Sequence, residues 1–267
     1  MLVQRTATSI LVLLLLLYAA GCSADFPANP SFPLTVAAAR AELAQMEAAP
    51  RPATRPIVII GGYADPGVIV SQLAARLRRV VGPETQIITV APGWTWTMED
   101  ARRRLLDEVE EELARAEQEL NIEIDVVAYS MGGLVARRAA MPDEKDQRRL
   151  SIVRLMTIAT PHRGADWAQL PTLENRVVDM RAGSAFLCAL DECEQRFEVL
   201  PYCRLGDWII GCENAAPPGR TAWWVPNQPL QFGHLDAHKD PRILADIARR
   251  LRGEEPFTTL PAADLPR

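Results

Sequence analysis

Lysine is almost missing from this chain. Only Lys145 and Lys239 occur in 267 residues, so arginine carries nearly all the basic charge. Histidine is nearly as scarce, with only His162, His234 and His238. Three histidines speak against a His-rich metal cluster, and any imidazole chemistry must use one of them. Basic charge is not in excess: 29 Lys and Arg stand against 34 Asp and Glu, a formal net charge of −5. A phosphate backbone would want a basic stripe, so no nucleic-acid partner is expected. No G-x-G-x-x-G follows a strand pattern, and there is no P-loop or metal motif, so neither a cofactor nor a metal is expected. No internal repeat is visible. The apolar fraction of 48% excludes wholesale disorder, collagen and coiled coil, and the length suffices for one sizeable core or at most two small ones.

The N-terminus reads as an address. Arg5 precedes an unbroken apolar run from Ile10 to Leu17, too short for a comfortable permanent span. Ala19-Ala20-Gly21 then leads into Cys22. The segment resembles a bacterial lipoprotein signal, with Ala19 where leucine is more usual; an ordinary signal peptide is the alternative. The resemblance implies cleavage before Cys22, lipid on its thiol and new amine, and a protein exported and held at a bacterial membrane. Ser23 in place of Asp favours the outer membrane or cell surface. The expected plan is a signal peptide over 1–21, a tether and short helix over 22–55, a globular domain over 56–252, and a flexible Pro-containing tail over 253–267. Four further cysteines, Cys188, Cys193, Cys203 and Cys212, fall within 25 residues and lack a zinc-like Cys-x2-Cys spacing. In an exported chain they suggest two disulfides. Three connectivities are open, of which Cys188–Cys193 with Cys203–Cys212 closes the shortest loops; four buried thiols are the alternative.

From Ile57 the pattern alternates. Short apolar runs at 57–60, 86–90, 122–128 and 152–159 read as buried strands. Helical segments at 68–81, 97–120 and 131–141 lie between them. Thr97 is placed as an N-cap, with Asp100 three residues on. This β-α-β-α-β-α-β rhythm predicts an α/β fold, a mostly parallel sheet with helices on both faces. Further strands are expected at 197–205 and about 222–225, and a helix at 241–251.

The most informative stretch is IDVVAYSMGGLVARRAA, residues 124–140. A strand ends at Ala128, a tight turn holds Ser130, and a helix begins at once. Small residues at Ala128 and Gly132 suit so sharp a turn, and the Met131 N–H at the helix start could serve a developing oxyanion. Ala-Tyr-Ser-Met-Gly-Gly resembles the nucleophile elbow of α/β-hydrolases, in the Ala-x-Ser-x-Gly form of some small bacterial lipases. The segment Ile57 to Tyr63 occupies the place of that family's strand and His-Gly-x loop, with Gly61 where the family has His. The match assigns the second oxyanion N–H to Tyr63. Thr157-Ile-Ala-Thr-Pro-His-Arg-Gly164 looks like the segment after the sixth strand of lipase-like members, which makes His162 structural. The insertion that follows, about 163–197, is expected to form a cap or lid.

A serine needs an imidazole to take its proton and a carboxylate to orient that imidazole. In this superfamily the acid and then the histidine follow the serine. His234, in Gly-His-Leu before the last helix, is preferred over His238, which reads as a solvated turn residue. Asp207, after the strand and Gly206, is the preferred acid; Glu213 is the runner-up, ahead of Asp191 and Glu192. Trp94, Trp96, Trp167 and Trp208 suggest an apolar pocket at one rim, or else ordinary core. The resemblance implies a membrane-anchored serine hydrolase of carboxylic esters, with an ester or lipid substrate, acting through Ser130, Asp207 and His234. The alternatives are an acyltransferase, thioesterase or amidase with the same triad, or a non-catalytic lipoprotein that uses the fold for binding.

Overall fold

The computed structural model describes residues 27–116, 121–143, 146–228 and 231–266. The signal segment and the lipidation candidate Cys22 lie outside the described residues. So does the end of the helix expected to run to Leu120.

Six strands form one sheet: β1 (Ile57–Ile60), β2 (Ile87–Val90), β3 (Glu123–Tyr129), β4 (Ser151–Ile158), β5 (Glu198–Arg204) and β6 (Trp223–Val225). Their order is β2-β1-β3-β4-β5-β6, and every neighbouring pair is parallel. A parallel sheet must be covered on both faces, which is why β1 is Ile-Val-Ile-Ile with every residue buried. Helices α1 (Val36–Ala48), α2 (Val68–Val81), α3 (Met98–Arg115), α4 (Met131–Ala140), α5 (Asn175–Asp179), α6 (Ala185–Glu192) and α7 (Pro241–Leu251) supply the cover. α2 buries Val70, Leu73, Leu77 and Val80, the spacing of one helical face. α3 starts at the expected capping box: Asp100 N–H donates to Thr97 Oγ1 at 3.0 Å, and Thr97 N–H to Asp100 Oδ2 at 3.1 Å. The acidic residues of β3, two apart and so on one face of the strand, differ in burial. Glu123 is exposed, whereas Asp125 is wholly buried and accepts from Arg154 Nε of β4 at 2.9 Å.

The chain reverses direction across the sheet once. From β1 it moves outward to β2, then returns to place β3 on the other side of β1. The loops leaving the carboxyl ends of β1 and β3 therefore part to opposite faces and leave a crevice between them, the place where open α/β sheets bind ligands.

Several expectations need correction. The tail over 253–266 is not loose but docked on the edge strand. Trp223 Nε1 donates to Thr259 O at 2.9 Å, and Trp224 Nε1 to Asp264 O at 3.0 Å. Asp246 of α7, fully buried, accepts from the N–H groups of Phe257 and Thr258. The described part of the tether packs too. Asn29 donates to Trp224 O at 2.7 Å, and Phe32 is buried against Tyr202. An edge strand has unpaired polar groups, and these two segments cover it. The disulfides are absent: Cys188, Cys193, Cys203 and Cys212 are all free thiols. For Cys188 and Cys193 the reason is helical. Cys188 lies in α6 and Cys193 at its C-cap, so about 100° per residue turns them to different sides. Cys188 Sγ faces Gly183 O while Cys193 Sγ faces Glu194 O. Cys203 is buried in β5, and its thiol neighbours that of Cys212 without a bond between them; Cys212 Sγ donates to Arg204 O at 2.8 Å.

The insertion between β4 and β5 does two jobs. Its first part, through the turn Asp166–Gln169 and α5, covers the carboxyl end of the sheet. α6 packs on α4, where the buried guanidinium of Arg137 donates to Leu190 O at 2.9 Å and to Asp191 at 2.8 Å. The cap is thus narrower than the whole of 163–197, because the sheet needs α6 as its crossover helix. Among the described residues no helix is long and apolar enough to cross a membrane.

Candidate active site

Ser130 stands between β3 and α4 with φ of 52° and ψ of −129°. A side-chain-bearing residue in that region costs roughly 1–3 kcal/mol and persists only when its surroundings over-determine it. Here they do. Ser130 N–H donates to Ile158 O at 2.8 Å, and Thr160 Oγ1 donates to Ser130 O at 2.8 Å. Gly132 explains why the turn can be so tight: a Cβ there would stand 2.4 Å from Gly61 O and 2.9 Å from Ile60 O. The motif's second small position is therefore a requirement of backbone against backbone.

The three chemically paired side chains come from three distant loops. Ser130 Oγ lies 3.0 Å from His234 Nε2, and His234 Nδ1 lies 2.8 Å from Asp207 Oδ2. All three are nearly inaccessible to solvent. Asp207 Oδ1 is held by the N–H groups of Ile209 and Ile210 at 3.0 and 3.1 Å. A carboxylate only accepts, so His234 carries its proton on Nδ1 and turns a lone pair on Nε2 toward the serine. The approach of His234 depends on Gly233, where a Cβ would meet Asp207 N at 2.5 Å. Asp207, not Glu213, meets the imidazole; Glu213 lies beyond it in the turn Cys212–Asn214. Asp191 pairs with Arg137 behind the sheet.

The other two histidines have different places. His162 is fully buried, 3.1 Å from Thr157 Oγ1 and 3.4 Å from Arg137 Nη1, and burial together with Arg137 keeps it neutral well below its ordinary range. His238 is not the solvated turn residue its neighbours suggest. It is buried, bonds Gln72 Oε1 at 3.1 Å, and is pushed down to about 4 by burial and by Lys239 and Arg76. Tyr129 separates it from the site, its ring 5.4 Å from that of His234 and 5.3 Å from that of His238. Sequence reading also missed that Tyr129 OH donates to His234 O at 3.1 Å. Burial, with Asp207 and Asp65 nearby, raises its pKa and keeps it a donor.

The two residues expected to supply oxyanion N–H groups adjoin the serine's turn and its cavity. Met131 opens α4, and the first N–H groups of a helix lack an intrahelical partner. Tyr63 belongs to the loop after β1, where an added Cβ on the neighbouring Gly62 would stand 3.0 Å from Ser130 Cβ. A cavity of about 240 Å³ opens at Ser130 and His234, walled by Tyr63, Ile69, Trp167, Met180, Trp208 and Ile209. Trp167 and Trp208 join it as expected, whereas Trp94 and Trp96 stand out in solvent at 77% and 80% exposure. Larger clefts of about 730 and 980 Å³ lie elsewhere, and neither is lined by a histidine. Among the described residues no three His, Cys, Asp or Glu side chains converge as metal ligands would.

Comparison with known structures gives this arrangement a frame. The product of gene lin2722 from Listeria innocua superposes with a TM-score of 0.52 at 16% identity, over 75% of this chain and 95% of that one. The fold is that of the α/β-hydrolases. The mature Bacillus licheniformis lipase BlEst2 also matches, with a TM-score of 0.52 and 16% identity over 72% of this chain and 89% of that one. Aspergillus fumigatus lipase B follows at 0.51 and 14%, over 86% of this chain and 60% of that one. In this α/β-hydrolase fold, the site lies where the crevice of the sheet predicts it. The family described as "Domain of unknown function (DUF7379)" matches residues 68–195, a span that includes Ser130 but neither Asp207 nor His234. No curated protein matches the chain.

Proposed function

We propose that the protein is a serine hydrolase of carboxylic esters, anchored to a bacterial membrane through Cys22. One observation carries the enzymatic part: a buried serine, imidazole and carboxylate in hydrogen-bonded series at 3.0 and 2.8 Å, at the mouth of an apolar pocket. Two neighbours of this fold bear the name lipase, which agrees with that reading.

The geometry supports a two-step acyl transfer to water. Ser130 Oγ attacks the ester carbonyl carbon as its proton passes to His234 Nε2. The carbonyl oxygen becomes an oxyanion, received by the N–H groups of Met131 and Tyr63. The tetrahedral intermediate collapses, the C–O bond to the alcohol breaks, and His234 gives its proton to the departing alkoxide. Asp207 stabilises the imidazolium while it exists. Water then attacks the acyl-enzyme, His234 accepts its proton, and the acid leaves with Ser130 restored. The apolar walls suit the acyl chain, since the pocket offers it only Ser130 and His234 as ionisable or nucleophilic groups beside the Tyr63 and Tyr129 phenols.

Ser130→Ala is expected to abolish hydrolysis of p-nitrophenyl butyrate and labelling by a fluorophosphonate, with the fold intact by circular dichroism. A fully active Ser130→Ala protein would end this reading. The membrane part rests on the N-terminal sequence alone. Acyl chains on Cys22 would hold the protein at a bilayer at about 0.8 kcal/mol per buried methylene. Mass spectrometry of the exported protein should find the mature N-terminus acylated at Cys22, and Cys22→Ala should release it to the soluble fraction.

A further inference from the structure

The insertion reaches back to grip the loop that carries the second oxyanion donor. Glu174, the N-cap of α5, accepts a hydrogen bond from Tyr63 OH, 111 residues away in the chain. The same carboxylate accepts from Arg176 Nε at 3.0 Å. The Arg176 guanidinium lies 4.7 Å over the Tyr63 ring and donates to Gly93 O, in the loop after β2, at 3.0 Å. Trp167 also packs against Tyr63, with ring centroids 5.7 Å apart. Arg176 is almost fully buried, so this is not a solvated surface pair.

The loop needs such a grip. Its first two residues, Gly61 and Gly62, have no side chains with which to hold themselves. Its far end is fixed by Asp65, whose Oδ1 accepts from Gly67 N and Ile69 N at 3.0 and 3.2 Å. Between these ends Ala64 takes a positive φ of 54°. Tyr63, between Gly62 and Ala64, is thus held through its side chain. Burial and the Glu174 carboxylate also raise the phenol's pKa, so it remains a donor across the neutral range.

We propose that Glu174 and Arg176 are positioning residues for catalysis: by clamping the Tyr63 side chain from the insertion, they set where the Tyr63 N–H stands beside Ser130. This rests on the serine-hydrolase reading. Losing an oxyanion donor costs about 10²–10³ in kcat, and a small misplacement can cost much of that. Loosening the clamp therefore lowers kcat while leaving substrate binding nearly unchanged.

The test is steady-state hydrolysis of p-nitrophenyl butyrate by the full mature chain, with the rate of fluorophosphonate labelling of Ser130 measured alongside. Glu174→Ala and Tyr63→Phe should each lower kcat about tenfold with KM changed less than twofold. Together they should lower it little further, because either one opens the same clamp. Glu174→Gln keeps an oxygen for the phenol and should retain most of the activity. Tyr63→Phe removes a single oxygen and keeps the ring, so it reports even if Glu174→Ala folds poorly. Unchanged kcat in Tyr63→Phe, or a rise in KM alone, would overturn the proposal. A wild-type protein that neither hydrolyses the ester nor labels at Ser130 would instead remove the hydrolase reading, and this one with it.

Discussion

Asp207→Asn separates orientation from everything else the carboxylate does. In the native site Oδ1 accepts from two backbone N–H groups, of Ile209 and Ile210, and Oδ2 faces His234 Nδ1 at 2.8 Å. An asparagine would keep its carbonyl oxygen on the two N–H groups, because an NH2 there would face donors. Its NH2 must then point at His234 Nδ1. Nδ1 becomes the acceptor, the imidazole proton moves to Nε2, and a donor now faces Ser130 Oγ at 3.0 Å. A base in that tautomer cannot take the serine proton. The expected loss is about 10⁴ in kcat, which at 1.36 kcal/mol per decade is about 5.4 kcal/mol of transition-state stabilisation. Stability should stay close to wild type, since both loop hydrogen bonds survive. The assay is hydrolysis of p-nitrophenyl butyrate at pH 7, with thermal unfolding as the control. Glu213→Gln, in the same region but away from the imidazole, should lose less than twofold. A loss below tenfold in Asp207→Asn would refute the assignment of Asp207 as the orienting acid.

Other consequences follow from single contacts. Gly132→Ala would place a methyl 2.4 Å from the main-chain oxygen of Gly61, in the loop after β1. It should destabilise the protein by about 1–3 kcal/mol in denaturant titration and abolish activity. Trp167→Ala removes one wall of the 240 Å³ pocket. The ratio of kcat/KM for p-nitrophenyl octanoate over the butyrate should rise several-fold. His238 has a folded pKa of about 4 against an ordinary 6.5, so the unfolded chain binds more protons between those values. Stability should therefore be complete above pH 6.5 and fall as the pH drops toward 4. His238→Gln should flatten that part of the stability curve in urea titrations from pH 7 to 4.

The sheet, most of its helices and the tight turn at Ser130 were legible in sequence for local reasons. Ile57 to Ile60 is apolar at every position because a parallel strand is buried on both faces. Thr97 and Asp100 mark a helix start within four residues. Ser130 is recognisable because so tight a turn wants small residues two positions before and after it, here Ala128 and Gly132. Family resemblance then pointed to Asp207 and His234, whose meeting with Ser130 is a tertiary fact. Where the reading failed, the deciding contacts were distant. His238 sits among charged neighbours in the chain but under Tyr129 and Gln72 in space. The tail contains three prolines, yet docks because Trp223, Trp224 and Asp246 offer it partners.

By itself the sequence determined the six strands and the helices outside the 163–197 insertion, since apolar period and capping act over a few residues, and it marked Ser130 as set in a tight bend. Only the tertiary structure decided which of three histidines reaches that serine, that Cys188 and Cys193 face apart, and that Glu174 grips Tyr63. The first and last of these depend on where the topology carries residues 27 to 111 positions apart. No local pattern in a chain records such distances.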